Sequence, residues 1–430
     1  MRKERKSEMG SRPKWIFVAA LAAIVSALAL RGCGSDGSGG DGNGLQERDF
    51  LVVVESSLAE ALQPSLARYA ENMQIANIEV YVELFEPGTV EELRQLLFQY
   101  IDVQGIEGAL LIGDLPAAWY EQTAFGYYEQ FPIDLYLQDR HAIWIDEDED
   151  GRFDGHSNLH LDIYTARLHG TTEELVNYFA RAYSYRWDGP LVDVSAFIFI
   201  DDDWSSARTE KAFHLEELYS NVDLRKEPFE TTAEAYLEKM TGDGAEFVYQ
   251  WMHASPRLVQ FEHHPEGGSV TQTRVMRSQV RELNFKGSFY NLFNCSAARF
   301  TEEGNLARDY TVGTDYGLAA IGSTKTGAVA RPHIFHGNLV IGRRWGEAYQ
   351  IWYNEEGWKN DEWHLGIVII GDPLLRLTGD LFPWGYGDNT SAWTPPAEVE
   401  DIGETMERIA EETELGTYEE YRERNPQFFD

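Results

Sequence analysis

Residues 50–54, Phe50-Leu51-Val52-Val53-Val54, form a run in which every side chain is apolar. Such a run predicts a strand that is buried on both faces, as in a parallel sheet. The following segments alternate in type: helical spacing over 57–72, a β-branched alternating run over 78–84, helical spacing over 89–100 and another buried strand over 108–112. This order predicts an α/β fold with a parallel, helix-covered sheet.

A second series of apolar runs begins beyond residue 190 and indicates another group of strands. The predicted strands are 196–200, 247–252, 289–293, 317–322 and 366–370, and helical spacing recurs over 211–220 and 233–240. We therefore expect two α/β units, 49–190 and 191–378, with mostly parallel sheets covered by helices. We assign no function to the acidic tail, 379–430.

The N-terminus has the parts of an export signal. Six basic residues precede a largely apolar stretch over 15–30, and Leu-Arg-Gly-Cys at 30–33 is similar to a bacterial lipobox. We expect a lipoprotein-type signal peptide over 1–32, lipidation at Cys33 and a flexible tether over 33–48. The protein would then be anchored to the membrane outside the cytoplasm, in the bacterial cell envelope. An uncleaved signal anchor and a plain secretory signal are the alternatives.

The chain of 430 residues carries a formal net charge of −36. An anionic surface repels nucleic acid, so we expect no nucleic-acid partner. Two explanations of the charge stay open, namely attraction of cationic substrates and solubility in high salt.

Once Cys33 is assigned to the lipid, Cys295 is the single remaining thiol. It follows the predicted strand 289–293, and His253 follows the predicted strand 247–252 in the same way. Side chains just past the carboxyl ends of neighbouring parallel strands converge in one crevice. We therefore expect Cys295 to be a nucleophile and His253 its base. The alternative is an inert, buried cysteine.

A cysteine nucleophile also needs N–H groups that stabilise the oxyanion of the tetrahedral intermediate. We expect these from the backbone of Cys295 and of a small residue beside His253, either Ala254 or Ser255.

Seven segments spread over roughly residues 50–375 share their order and character with a known family. They are 110–114 (LLIGD), 131–136 (FPIDLY), 200–204 (IDDDW), 253–256 (HASP), 291–300 (NLFNCSAARF), 322–327 (GSTKTG) and 370–373 (IGDP). Together they resemble the gingipain-like cysteine peptidases of the caspase-type clan. The resemblance implies a caspase-like sheet, His253 as general base, and Cys295 as a nucleophile that forms a thioester acyl-enzyme.

The same resemblance implies a role for Asp162. It matches the acidic residue that precedes an Ile-x-x-Gly-Arg-like segment in the family, with Ala166 in place of the glycine. A carboxylate there is expected to accept a hydrogen bond from His253 and orient the imidazole. Ala254 stands where the family usually has glycine, and its small side chain and N–H are expected to keep the oxyanion hole.

The most regular acidic motif runs from residue 146 to residue 154. Asp146, Asp148, Asp150 and Asp154 occupy positions 1, 3, 5 and 9 of a calcium-type loop, and Arg152 would supply its backbone carbonyl at position 7. Position 12 holds a serine instead of the usual glutamate, so another residue must complete the shell. We expect structural Ca²⁺ here, with a solvated acidic turn as the alternative.

Other polar residues lie near the predicted crevice. Asp201, Asp202 and Asp203 follow a predicted strand and could receive a basic substrate side chain, or could cap a helix. His263 and His264 are rival candidates for the base, although they read as loop residues. No matching metal-ligand spacing accompanies them.

These patterns predict an exported cysteine endopeptidase that acts on peptide or protein substrates and is held at the membrane by its N-terminus. The alternative from another class is a non-catalytic, calcium-stabilised surface domain that binds peptide or protein.

Overall fold

The computed structural model describes residues 48–263 and 270–378. The strands in these residues are β1 (Arg48–Glu55), β2 (Ile78–Phe85), β3 (Gly108–Ile112), β4 (Ala118–Ala124), β5 (Tyr127–Ile133), β6 (Trp144–Ile145), β7 (Gly155–His156), β8 (Tyr164–Leu168), β9 (Ala196–Ile200), β10 (Val222–Arg225), β11 (Ala245–Trp251), β12 (His253–Ser255), β13 (Leu258–His263), β14 (Thr271–Met276), β15 (Gly287–Phe293), β16 (Ala319–Ser323) and β17 (Ile367–Gly371). The signal peptide, Cys33, the tether apart from its last residue and the acidic tail lie outside the described residues.

The helices are α1 (Ala59–Ile75), α2 (Val90–Gln104), α3 (Leu135–Gln138), α4 (Thr172–Asp188), α5 (Ala233–Thr241), α6 (Arg277–Glu282), α7 (Leu306–Thr311), α8 (His333–Val340), α9 (Trp345–Glu355) and α10 (Asp361–His364). Short 3₁₀ helices span Ser56–Leu58, Asp202–Trp204, Glu210–Glu217 and Gly357–Lys359. The helix predicted over 211–220 is thus replaced by 3₁₀ geometry.

Ten strands form one sheet in the order β10-β9-β11-β15-β16-β17-β8-β3-β1-β2. All neighbours in this sheet are parallel except β16 and β17, which are antiparallel. The sheet therefore has two parallel halves that run in opposite directions. The carboxyl ends of β9, β11, β15 and β16 lie at the same edge as the amino ends of β17 and β8. We call this edge the β15 edge.

The α/β class and the mostly parallel sheet confirm the sequence prediction. The sheet is continuous across the predicted boundary at 190/191, and β17, which was predicted to belong to the second unit, pairs with β8 of the first. The division into two caspase-like units therefore stays an interpretation of the two oppositely directed halves.

Helix termini follow from local sequence. Thr89 caps α2: its hydroxyl accepts a hydrogen bond from the N–H of Glu92, and the Glu92 carboxylate accepts one from the N–H of Thr89. Gly105 ends this helix with a φ of 74°, a left-handed conformation that glycine adopts without steric cost. Thr171 and Glu174 form the same reciprocal cap on α4.

Both faces of the sheet are covered by apolar side chains. Along β9, Phe197 and Phe199 belong to one buried cluster, whereas Ile198 and Ile200 belong to another. Alternate residues of a strand point to opposite faces, so the two clusters lie on opposite sides of the sheet. This double burial explains why the central strands read as continuous apolar runs.

Two smaller sheets lie at the β15 edge. The strands β12, β13 and β14 form an antiparallel sheet that begins at His253, two residues after β11 ends. The β4–β5 hairpin packs against the residues that follow β16, and the Pro132 carbonyl accepts a hydrogen bond of 2.7 Å from the Thr324 hydroxyl. Gln130 accepts one of 2.7 Å from Arg299. Strand β4 also contacts the acidic loop, which β6 and β7 enclose.

Candidate active site

The structure places His253 and Cys295 at the ends of adjacent parallel strands, as predicted. Strands β11 and β15 pair with Trp251 opposite Phe293, and Met252 continues the pairing by donating to the Phe293 carbonyl at 3.3 Å. Each candidate residue follows its strand's last residue by two positions, so both lie at the same level of the β15 edge. The Cys295 side chain is half-buried, and 16% of the His253 side chain is exposed. Neither group is sealed from solvent.

A pair of buried amides fixes the two strand ends relative to one another. The Asn294 side chain donates to the Met252 carbonyl at 2.7 Å and accepts from Gln250 at 2.9 Å. The Gln250 oxygen in turn accepts a hydrogen bond of 2.7 Å from Tyr236. These side chains hold the residue before the thiol against the residue before the imidazole. Sequence reasoning missed them, since nothing in an isolated Asn or Gln indicates which strand it bridges.

The His253 imidazole is oriented by Asp203. Its Nε2 lies 2.8 Å from Oδ2 of Asp203, which follows β9, the strand next to β11. Burial lowers the pKa of His253, but the hydrogen bond to Asp203 and the nearby charges of Asp203, Glu262 and Asp201 outweigh it. The pKa of His253 therefore lies above its ordinary value. With Nε2 donating to the carboxylate, Nδ1 is the nitrogen that can take and return a proton.

The structure contradicts the orienting role expected of Asp162. This residue precedes β8, four strand positions from β11, or about 19 Å across the sheet at the usual strand spacing. Its carboxylate instead accepts from the Arg140 backbone N–H at 2.9 Å and pairs with the Arg140 guanidinium at 3.3 Å. The strand order, which is not the chain order, separates Asp162 from His253 and brings Asp203 to it.

The three consecutive acids do not form a single substrate-facing patch. Asp201 is fully buried and accepts from the Glu262 N–H at 2.9 Å, and burial raises its pKa well above the ordinary value. Asp202 is also buried, 3.6 Å from the His263 Nδ1. Full burial makes the predicted role in receiving a basic substrate side chain wrong for Asp201. Only 6% of Asp202 is exposed, which argues against that role for this residue as well. Asp203 forms a hydrogen bond with His253, and its role toward substrate stays a prediction.

Of the two rival histidines, His263 lies at the end of β13, and its Nδ1 lies 3.1 Å from the Pro228 carbonyl. His264 lies outside the described residues. Both His253 and His263 therefore have an acidic neighbour, but Asp203 lies within hydrogen-bond distance of His253 at 2.8 Å, whereas Asp202 lies 3.6 Å from His263.

The Cys295 thiol is contacted from the other side, by the segment after β16. The backbone N–H of Gly327, the hydroxyl of Thr326 and the charges of Lys325 and Glu129 all act on its pKa, and the Thr326 hydroxyl donates to Glu129 at 3.2 Å. Burial raises the pKa of the thiol and Glu129 adds to this, whereas Gly327, Lys325 and Thr326 lower it. The net pKa lies above the ordinary value. At neutral pH the resting group is therefore a thiol, which needs a base to become a nucleophile.

The turn after Cys295 is anchored on the same segment. Ser296 has a φ of 55°, a conformation that residues other than glycine rarely adopt. Its N–H donates to the Lys325 carbonyl at 2.8 Å, and Ala298 donates to the Ser323 carbonyl at 2.9 Å. The chain thus turns sharply at the candidate nucleophile and is held there by β16.

The backbone N–H groups of Ala254 and Cys295, the expected oxyanion donors, both lie at the β15 edge. Ala254 lies in β12, an edge strand whose alternate N–H groups point away from β13. Cys295 directly follows β15. The assignment of these two N–H groups stays a prediction.

The acidic loop has the arrangement of a candidate cation site. One ligand oxygen each from Asp146, Asp148 and Asp154 lies within 4.8 Å of the others, and the same holds for Glu121, Asp148 and Asp150. Glu121 comes from β4, outside the loop, so spacing within the loop could not indicate it. The role expected of the Arg152 carbonyl stays untested.

A third group of possible ligands surrounds the imidazole itself. Ligand atoms of Asp203, His253 and Glu262 lie within 4.8 Å of one another. No spacing in the sequence predicted this set, because the three residues come from three different strand ends.

A scan of protein-family models found none that matches this chain, and a search of the curated proteins found no significant relative. Among the described residues, no helix is both long enough and apolar enough to span a membrane.

Proposed function

We propose that this protein is an exported cysteine endopeptidase related to the gingipain-like family, with Cys295 as nucleophile and His253 as general base. The observation that carries the proposal is the Asp203–His253 hydrogen bond of 2.8 Å at the end of β11, beside the strand that presents a half-buried thiol. A base that is oriented by a carboxylate and lies beside a nucleophile is the arrangement of acyl-transfer enzymes.

The reaction follows from these groups. His253 Nδ1 takes the thiol proton as the Cys295 sulfur attacks the scissile carbonyl, and the backbone N–H groups of Cys295 and Ala254 stabilise the oxyanion. The imidazolium then gives its proton to the leaving amine, and a thioester remains. Water attacks the thioester while His253 takes a proton from it, and the sulfur leaves and recovers that proton.

The decisive test is cleavage of a peptide library, followed by mass spectrometry of the products. We expect cuts by the wild-type protein and none by Cys295→Ala or His253→Ala, with unchanged near-UV circular dichroism. Cleavage that persists in Cys295→Ala would refute the assignment. Iodoacetamide labelling of the peptide that contains Cys295 adds a reading independent of Cys33. We expect this labelling at neutral pH and its loss in His253→Ala.

The acidic loop is proposed to bind Ca²⁺ in a structural role. Oxygen ligands of the kind that Ca²⁺ prefers converge there, and Glu121 can close the shell. Phe153 of the loop pairs with β4, donating to the Trp119 carbonyl at 2.9 Å. A bound ion would therefore stiffen the hairpin that flanks Cys295.

One observation favours the non-catalytic alternative: burial raises the pKa of the Cys295 thiol. Under that alternative, the crevice at the β15 edge holds a peptide without cleaving it. Peptides recovered intact and bound equally well by wild type and Cys295→Ala would favour it.

The localisation is proposed on the N-terminal segment alone. Lipid attached to Cys33 would hold the domain at the membrane outside the cytoplasm. The mass of the mature N-terminal peptide tests this, and a Cys33→Ser variant is the control.

A further inference from the structure

A second set of groups, which the Cys–His mechanism does not use, lies next to the turn that carries Cys295. The 325–327 segment, Lys325-Thr326-Gly327, follows β16, the neighbour of β15 on the side away from β11, and the Lys325 carbonyl accepts a hydrogen bond of 2.8 Å from the N–H of Ser296. The segment supplies one backbone N–H, one hydroxyl and one ammonium group. Each of these stabilises a negative charge on sulfur.

Lys325 is placed unusually for a lysine. Its side chain is fully buried, and its Nζ donates to the carbonyls of Thr326 and Glu362. The same atom lies 5.3 Å from the ring centroid of Phe125 and 5.5 Å from that of Phe131. A buried lysine is costly unless its charge has a partner, so its presence at this point calls for a function.

A close approach places this ammonium group beside Gly327. A Cβ built on Gly327 would lie 3.4 Å from the Lys325 Nζ, so the ammonium group lies against the residue whose N–H faces the thiol. The same Cβ would lie 2.5 Å from the Trp363 carbonyl, and Gly327 has a φ of 142°. Only glycine fits this close approach.

Glu129 of β5 opposes the cation. Its carboxylate accepts from the Thr326 N–H at 3.1 Å and from the Thr326 hydroxyl at 3.2 Å. The hydroxyl has one proton, so it donates either to Glu129 or to the sulfur. Glu129 thus acts against the thiolate both by its charge and by competing for this proton.

We propose that the 325–327 segment is a thiolate-stabilising site for Cys295, in which the buried ammonium of Lys325 supplies the positive charge and Glu129 opposes it. The inference rests on the proposed cysteine chemistry and adds a second device to it. His253 removes the proton, and the buried ammonium lowers the cost of leaving negative charge on sulfur.

The charged and titratable groups that face Lys325 set its pH dependence. They are Glu129 on β5, Cys295 after β15, and Asp361 and Glu362 on α10. Burial lowers the pKa of Lys325 to about 8, although these groups oppose the shift. The ammonium is therefore present at neutral pH and is lost under mildly alkaline conditions.

The experiment measures the rate of iodoacetamide alkylation of Cys295 against pH, by mass spectrometry of its peptide and without substrate. In Lys325→Met, we expect alkylation at pH 7 to slow about tenfold, which is one pKa unit in the thiol. Thr326→Val removes the hydroxyl at nearly constant volume and should slow alkylation less. Glu129→Gln should accelerate it, because both the opposing charge and the competing acceptor are weakened.

Lys359→Met is the matched control, since Lys359 pairs with Glu356 at the surface and should leave the rate unchanged. Near-UV circular dichroism shows which variants are folded. If Lys325→Met misfolds, the opposite shifts in Thr326→Val and Glu129→Gln still decide. Unchanged rates in both, or shifts in the same direction, overturn the proposal.

Because alkylation needs no peptide, it separates this proposal from the peptidase assignment. Altered alkylation without any peptide cleavage would refute the peptidase but keep the thiolate site. Cleavage with unaltered alkylation would do the reverse.

Discussion

The imidazole of His253 and the carboxylate of Asp203 are joined by a hydrogen bond of 2.8 Å although 50 positions separate them in the chain. The contact exists because β9 and β11 are neighbours in the sheet and both end at the β15 edge. On the other side of β15, the segment after β16 is placed next to Cys295 in the same way. The residue after β9 therefore contacts His253, and the segment after β16 lies next to Cys295.

Asp203→Asn should lower kcat by at least about tenfold, because the imidazole loses the partner that orients it and stabilises its protonated form. Burial lowers the pKa of His253 but the carboxylate raises it more, so the acid limb of the wild-type pH profile should lie above the pH at which an ordinary histidine titrates. Removing the negative charge lowers that pKa and should move the acid limb to lower pH.

Asp162→Asn is the matched control for this measurement, since its carboxylate pairs with Arg140. It should leave the pH profile in place. If the acid limb of the pH profile shifts in the Asp162 variant and not in the Asp203 variant, then Asp162 is the acid that orients His253.

The buried pair of Arg167 and Asp134 should be the most sensitive ionic contact for stability. Both side chains are fully buried, 2.8 Å apart, and Arg167 also donates to the Leu115 carbonyl at 2.9 Å. Asp134→Asn leaves a buried guanidinium without its counter-charge and should lower the free energy of unfolding by about 3–5 kcal/mol. Urea denaturation measures this.

Asp102→Asn removes the exposed partner of Arg140 and serves as the comparison. Its cost should stay below about 1 kcal/mol, as for other surface pairs. Equal costs for the two substitutions would contradict the buried-pair argument.

Calcium should stabilise the protein through the acidic loop. At a free Ca²⁺ concentration of about 100 times Kd, the gain in unfolding free energy should be about 2.7 kcal/mol, and a chelator should remove it. Asp148→Asn should abolish the gain, because Asp148 belongs to both clusters of ligand atoms. Glu121→Gln should weaken it if Glu121 completes the shell.

Glu147→Gln alters an acid of the same loop that belongs to neither cluster and should retain the gain. A response to Ca²⁺ that survives in Asp148→Asn would show that the ion binds elsewhere. Thermal unfolding with and without chelator distinguishes these results.

Asn294→Ala should damage both stability and activity. It leaves the Met252 carbonyl and the Gln250 amide without their bonds, at a cost of about 2 kcal/mol. The two strand ends would no longer be tied, so we expect a lower kcat with little change in KM. A change confined to KM would show that Asn294 acts on substrate binding instead.

Much of the fold followed from residue patterns because the central strands are buried on both faces and read as apolar runs. The span predicted for β3, 108–112, matches the structure. The placement of His253 and Cys295 just past the ends of two parallel strands was also predictable, since it depends only on the position of each residue relative to its strand. Both inferences depend on local signals. That the two strands are neighbours was an expectation, and the pairing of β11 with β15 confirms it.

The orienting acid was not predictable, because it depends on which strands are neighbours. The chain orders Asp162 and Asp203 before His253 without indicating that β9, and not β8, lies next to β11. Lys325 was missed for a different reason. A lysine in a polar, glycine-containing segment reads as exposed, and only the packing of β5 and α10 over β16 buries it.

Some residues of the segments that resemble the gingipain-like family stabilise the fold. Asp134 and Arg167, from two of the compared regions, form the buried ion pair, and Asp372 accepts a hydrogen bond of 2.9 Å from Tyr69 and pairs with Arg186. A pattern of this kind therefore reports the architecture at least as much as the chemistry.

Strand β17 comes last along the described chain yet lies in the middle of the sheet, between β16 and β8. Until β17 is added, a five-stranded block and a four-stranded block each expose an unpaired inner strand, and unpaired strands favour association between molecules. A polypeptide that is truncated before Ile367 would keep the strands that precede His253 and Cys295 but would lose β17, which joins β16 to β8. The central sheet is therefore complete only after residues 367–371 have been added.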